Sequence, residues 1–152
     1  MTCTAHTAWL ARASIVPAAT LDLWRLGCTA PLLPGREWDV VRVDFALAVA
    51  AVRQLKGAGR HIGPYLMSGA ERATWWLLPL GTGYRFAGEG GVAVHPGDWA
   101  LLSPPPTRYV GNRVWVFPEG ESPALTSPAE LLGAVRQTLG SSHSPVTAGR
   151  LA

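Results

Sequence analysis

The sequence predicts a mixed α/β (α+β) domain with a largely antiparallel sheet, a strand-helix-strand unit and flanking helices. Three observations predict it. A strand, a capped helix and a second strand follow one another between residues 38 and 67. Beyond residue 73, short apolar or alternating runs are separated by clusters of Gly and Pro. A last helix then opens with a complete start signal at Ser127.

In chain order, residues 4–15 place Ala5, Ala8, Trp9 and Ala13 at helical spacing, and Pro17 breaks the chain. Residues 19–27 form a second short helix, with Leu21 and Trp24 on one face and Gly27 near its end. Pro31-Leu32-Leu33-Pro34-Gly35 reads as a turn or connector. Residues 38–43 (WDVVRV) are short and β-branched, as a strand requires. In residues 45–56 an apolar stripe of Phe45, Ala48, Val49, Val52 and Leu55 defines an amphipathic helix. Asp44 stands at its N-cap, where a carboxylate can accept first-turn amides, and Gly57 and Gly59 stop it. Residues 64–67 return as a strand. Residues 73–80, 91–95, 99–103 and 113–117 read as an antiparallel meander, turned at Gly81-Thr82-Gly83, Gly88-Glu89-Gly90 and Pro96-Gly97-Asp98. Ser127 as cap, Pro128 at the first helical position and Glu130 three residues after the cap start the final helix, which ends at Gly140. Residues 1–139 thus make one domain and 140–152 a flexible tail.

Composition narrows the function. Only 15% of the 152 residues are charged, against roughly 25% in ordinary soluble domains. No apolar run approaches the roughly 20 residues of a membrane span, and no basic leader precedes the first apolar stretch. Cys3 and Cys28 are too few for a disulfide scaffold and match no zinc spacing, so a cytoplasmic protein without membrane contact is expected. Twelve of the 13 basic residues are arginine, which suits either a GC-rich genome or a surface for phosphate and carboxylate.

Asp39 and Asp44 flank one strand five residues apart, so alternation sends them to opposite faces, whereas two ligands of one Mg²⁺ belong on the same face. Asp44 reads first as a helix cap and Asp39 as a turn-proximal or paired residue. His6, His61, His95 and His143 show no metal spacing, and His95 reads as a surface turn histidine. No Ser or Cys has a nucleophile's context. Arg42, Arg72, Arg85, Arg108 and Arg113 are candidate phosphate or nucleic-acid contacts, with Trp75, Trp76, Tyr84, Tyr109 or Trp115 as stacking surfaces. That surface requires the arginines to share one concave face. Otherwise Trp75 and Trp76 simply point to opposite faces of a strand and fill the core.

The order GPYLMSG (63–69), ATWWLLPLGTG (73–83), residues 84–120 with GEGG, a Pro-Pro-Pro strand end and GNRVW, then LTSPAELLGAVRQTL (125–139), resembles the N-terminal domain of bifunctional DNA primase/polymerases over about residues 30–139. The resemblance implies that fold and a nucleic-acid-associated ancestry. It also implies a strand bearing Asp-x-Asp for metal, where this chain has Arg42 at the first acidic place and only Asp44 at the second. The family's catalytic histidine is missing around residues 71–75. Two-metal phosphoryl transfer needs several carboxylates, and an arginine among them repels the metal. The implied protein binds nucleotide, nucleic acid or a replication or mobile-element partner without polymerising, and takes Mg²⁺ only if some nucleotidyl transfer survives. A likeness of residues 94–104 to the Pro-Gly-Asp turn of cupin barrels is shared turn chemistry, since only His95 of the metal set is near. The alternative is a protein-interaction module that exposes an aromatic-rich apolar patch.

Overall fold

A computed structural model describes residues 5–120 and 124–151, with side chains through residue 140. The α+β expectation holds: among the described residues, four α-helices accompany two antiparallel sheets. In chain order the elements are α1 (Ala5–Ala11), α2 (Pro17–Arg25), β1 (Ala30–Leu32), β2 (Asp39–Asp44), α3 (Phe45–Gly57), β3 (Tyr65–Ser68) and β4 (Ala73–Leu78). A 3₁₀ turn (Gly83–Phe86), β5 (Val92–Val94), β6 (Leu101–Ser103), β7 (Arg113–Val116) and α4 (Pro128–Leu151) follow.

The five-stranded sheet runs β5-β2-β4-β3-β7, and β1 pairs with β6 in a small second sheet. Because β4 is antiparallel to both β2 and β3, the strand-helix-strand unit is split, with β4 inserted between its two strands. Strand alternation divides the core in two. Val40, Leu66, Trp75, Leu77 and Trp115 pack with α1, α2 and the small sheet, while Val41, Val43, Trp76 and Leu78 pack under α3 and α4. Adjacent Trp75 and Trp76 therefore serve opposite layers, and neither is a free base platform: Trp75 is 5% exposed and Trp76 fully buried. Trp115 is buried as well.

Several local expectations are corrected. Residues 73–117 form no meander: β5 pairs with β2, β6 with β1 and β7 with β3. Gly and Pro clusters mark where the chain turns but not which strand it joins next, and among the described strands only β3 and β4 pair as sequence neighbours. Pro17 opens α2 in the first-turn position where its missing N–H costs nothing, rather than breaking the chain. Pro31 and Leu32 lie in β1, whose short, outer position tolerates proline.

The buried side of α3 is Leu47, Ala48, Ala51 and Leu55, rotated from the apolar stripe; Phe45 and Val52 are half-buried and Val49 exposed. Asp44 occupies the N-cap position, but its carboxylate accepts no hydrogen bond from the first-turn amides; the Phe45 amide donates to the Arg72 carbonyl, at 3.0 Å. Gly59, at φ 69°, ends α3 as expected. The Ser127 hydroxyl accepts from the Glu130 amide at 3.3 Å, fulfilling the start signal of α4. Gly140 has no positive φ, so α4 does not stop there and its backbone stays helical to Leu151. His143 and Cys3 fall outside the described side chains. No helix among the described residues is long and apolar enough to cross a membrane.

Candidate functional site

The richest polar constellation sits where β2 ends, β3 turns into β4, and β7 begins. Side chains at alternate positions of neighbouring strands share a face, which aligns Arg42 with Trp75 across β2 and β4, and Ser68 with Arg113 across β3 and β7. Arg113 lies over the Trp75 ring, 4.5 Å from its centroid, and Arg42 approaches the same ring at 5.9 Å.

Glu71, in the β3–β4 turn, organises the group. Arg113 donates Nε and Nη2 to its two carboxylate oxygens, both at 3.0 Å, and Nη1 to the Leu102 carbonyl at 2.7 Å. The turn is fixed by Ser68, whose hydroxyl accepts from the Glu71 amide and donates to Asn112 Oδ1. Arg72 holds φ 53°, the one positive value at a non-glycine among the described residues. The Arg113 guanidinium holds the Glu71 carboxyl below the usual carboxylate range; burial opposes this, and Ser68 and Arg42 add smaller contributions in the same direction. Arg113 is therefore spoken for on all sides.

Arg42 is not. It is exposed, and among the described residues its guanidinium makes one hydrogen bond, to the Glu71 carbonyl at 3.4 Å. Asp44 lies two residues on, exposed on the same face, beside Gly91. Asp39 points the other way and accepts the Gly83 amide at 2.9 Å, as a paired strand-end residue does. His95 follows β5; its Nε2 donates to the Trp99 carbonyl at 3.0 Å. Burial pushes the imidazole below its ordinary value, two backbone carbonyls push back, and the Arg113 charge lowers it further. His95 thus stays half-buried in the turn that follows β5.

The five arginines do not share one face. Arg42 and Arg113 meet at Trp75, with the Arg72 backbone in the adjoining turn. Arg85 belongs to the 3₁₀ turn against Asp39, at the opposite end of β2. Arg108 donates to the Trp24 carbonyl at 2.9 Å and so closes the C-terminal end of α2. A continuous arginine track is not built. No three His, Cys, Asp or Glu side chains among the described residues are grouped to hold a metal ion. Asp44 beside a cationic Arg42 is a poor fit for Mg²⁺.

Sequence reasoning missed Glu71, the residue on which the cluster turns. Ser68-x-x-Glu71 is the spacing of a hydroxyl that caps the amide three residues on, and that signal was legible. It also missed the exposure of Trp99 and Leu102, which follow from how β6 leaves the main sheet. No protein family, curated protein or solved structure matches the chain.

Proposed function

We propose that the protein is a domain similar to primase/polymerases that binds a nucleotide without polymerising it. The observation that carries this function is Arg42. It is an exposed guanidinium, held by one long hydrogen bond and the edge of the Trp75 site, at the strand position that the resemblance gives to the first metal-binding acid. A guanidinium there attracts directly the phosphate that a metal would otherwise bridge. Arg113, neutralised by Glu71, stiffens the floor beneath it. Because Arg85 and Arg108 lie elsewhere, the fitting ligand is compact, a nucleotide rather than a long strand.

The test pairs two assays on the whole chain. Primer extension with Mg²⁺ or Mn²⁺ is expected to give no product; synthesis lost in Asp44→Ala overturns the inactive half of the proposal. Anisotropy of a fluorescent nucleoside triphosphate is expected to show binding that falls steeply with salt and with Arg42→Glu. Binding indifferent to both overturns the other half.

A second reading has its own observation. Trp99 (65% exposed) and Tyr109 (64%) lie on the loops entering and leaving β6, with Leu102 exposed between them. Exposed apolar side chains on and beside one strand suit a protein partner, and association through them would be nearly insensitive to ionic strength. Trp99→Ala would weaken that association and leave the nucleotide binding at Arg42 unchanged.

A further inference from the structure

On the other face of the sheet, α3 leaves a cavity of about 230 Å³ against the β3–β4 hairpin. Its wall is Phe45, Ala48, Val49 and Val52, and its floor is Tyr65, Met67 and Thr74. These helix residues are the apolar stripe that the core only partly uses. Phe45 and Val52 are half-buried, and Val49 is 39% exposed. An apolar stripe turned away from the core needs another reason to be apolar, and the cavity supplies one.

The mouth is cationic. Arg53 and Lys56 line it, no acid does, and neither forms an ion pair among the described residues. The floor is rigid: Tyr65 stacks on Trp76 with centroids 4.4 Å apart. Thr74 donates to the Val43 carbonyl and accepts from Trp76 Nε1, each at 2.9 Å. Burial raises the Tyr65 hydroxyl above its ordinary value, which keeps it a neutral O–H. The volume is below the roughly 300–1,000 Å³ of pockets for drug-sized ligands. It equals about eight water volumes at ~30 Å³ each, room for one ring with a short arm.

We propose that this cavity is a binding site for a small apolar carboxylate, of the size of an aryl acid. Its ring lies between Val49, Val52 and Met67, and its carboxylate faces Arg53 and Lys56. This site is on the opposite side of the sheet from Arg42 and does not depend on the nucleotide reading.

The probes are phenylacetate and its neutral counterpart phenylacetamide, titrated into the whole chain while the Met67 methyl and the backbone amides are followed by NMR. Phenylacetate is expected to shift Met67, Val49 and Val52 saturably, and to bind about tenfold more tightly than the amide, as two partly exposed ion pairs allow. The double variant Arg53→Gln/Lys56→Gln, both surface changes, is expected to remove that preference. Val49→Trp fills the mouth and is expected to abolish the shifts. Equal binding of acid and amide, no shift at Met67, or shifts that survive Val49→Trp each overturn the proposal. Met67 shifts that follow protein concentration without any probe also overturn it, and assign the cavity to a second copy of the chain.

Discussion

Arg113 lies across the indole of Trp75, 4.5 Å from its centroid, so that one guanidinium ties three separate segments to a buried ring. It grips Glu71 in the β3–β4 turn with two hydrogen bonds, and it donates to the Leu102 carbonyl of β6. The small β1–β6 sheet is thereby fastened to the main sheet at the point where Arg42 emerges. The same arginine is a poor ligand-binding group, because its donors and its charge are already matched.

Arg42 and Arg113 should therefore separate in mutational tests. Arg113→Ala is expected to lower stability by about 2 kcal/mol, a bidentate charge-assisted pair discounted because Glu71 is partly solvated. Arg42→Ala, an exposed change with one long hydrogen bond at stake, should stay within about 0.5 kcal/mol of the parent while nucleotide affinity falls. Urea denaturation and anisotropy on both variants check this. A large stability loss in Arg42→Ala would make it a structural residue instead.

The Glu71 carboxyl also predicts an acid-sensitive component of stability. Its folded value lies below the ordinary 4.5, so the folded chain releases this proton more readily than the unfolded one. Stability from the Arg113 pair is then complete above about 4.5 and is lost as pH falls through the lower folded value. Urea midpoints measured through the acid range should drop less steeply in Glu71→Gln than in the parent. Parallel curves would show that the pair contributes nothing measurable.

His95 acts in a neighbouring window with the same sign. Burial, the largest cause, holds its imidazole below the ordinary 6.5, so unfolding favours proton uptake. Its contribution is full above that value and declines as pH falls through the lower folded one. An NMR titration of the His95 ring should give a midpoint under 6.5; a midpoint at or above it would remove the burial argument.

What the sequence discloses of this fold divides along physical lines. Local signals were readable because they act over three or four residues: the Ser127 cap of α4, Gly59 at the end of α3, and Trp75 and Trp76 facing opposite layers. Strand partners were not readable, because three-residue strands such as β5 and β6 fit several neighbours, and long-range packing chooses among them. The rotation of α3 has the same origin. Leu47 and Ala51 turn inward because α4 and the sheet cover them together, which a single-helix stripe cannot register. At the site, Arg42 was legible as a cation where acids were expected. Its isolation from Arg85 and Arg108 was not, since it depends on where three separate loops return.

Glycine positions give the sharpest steric prediction. A Cβ at Gly63 would lie 2.6 Å from the Thr126 amide nitrogen, 2.7 Å from the Ala124 carbonyl oxygen and 2.8 Å from the Leu125 carbonyl carbon. All three are backbone atoms of the strap that leads into α4, and the Gly63 amide donates to Thr126 Oγ1 at 2.8 Å. The contact cannot be relieved by a rotamer change, so Gly63→Ala must push the strap away and cost that hydrogen bond. A loss of about 2–3 kcal/mol is expected, as for other overpacked sites. Gly133 makes the control. It lies inside α4, and a Cβ there would meet nothing within 4 Å, so Gly133→Ala should gain about 0.5–1 kcal/mol from helix propensity alone. Thermal unfolding of the two variants should move in opposite directions, and a neutral Gly63→Ala would mean that the strap does not sit against Gly63 in solution.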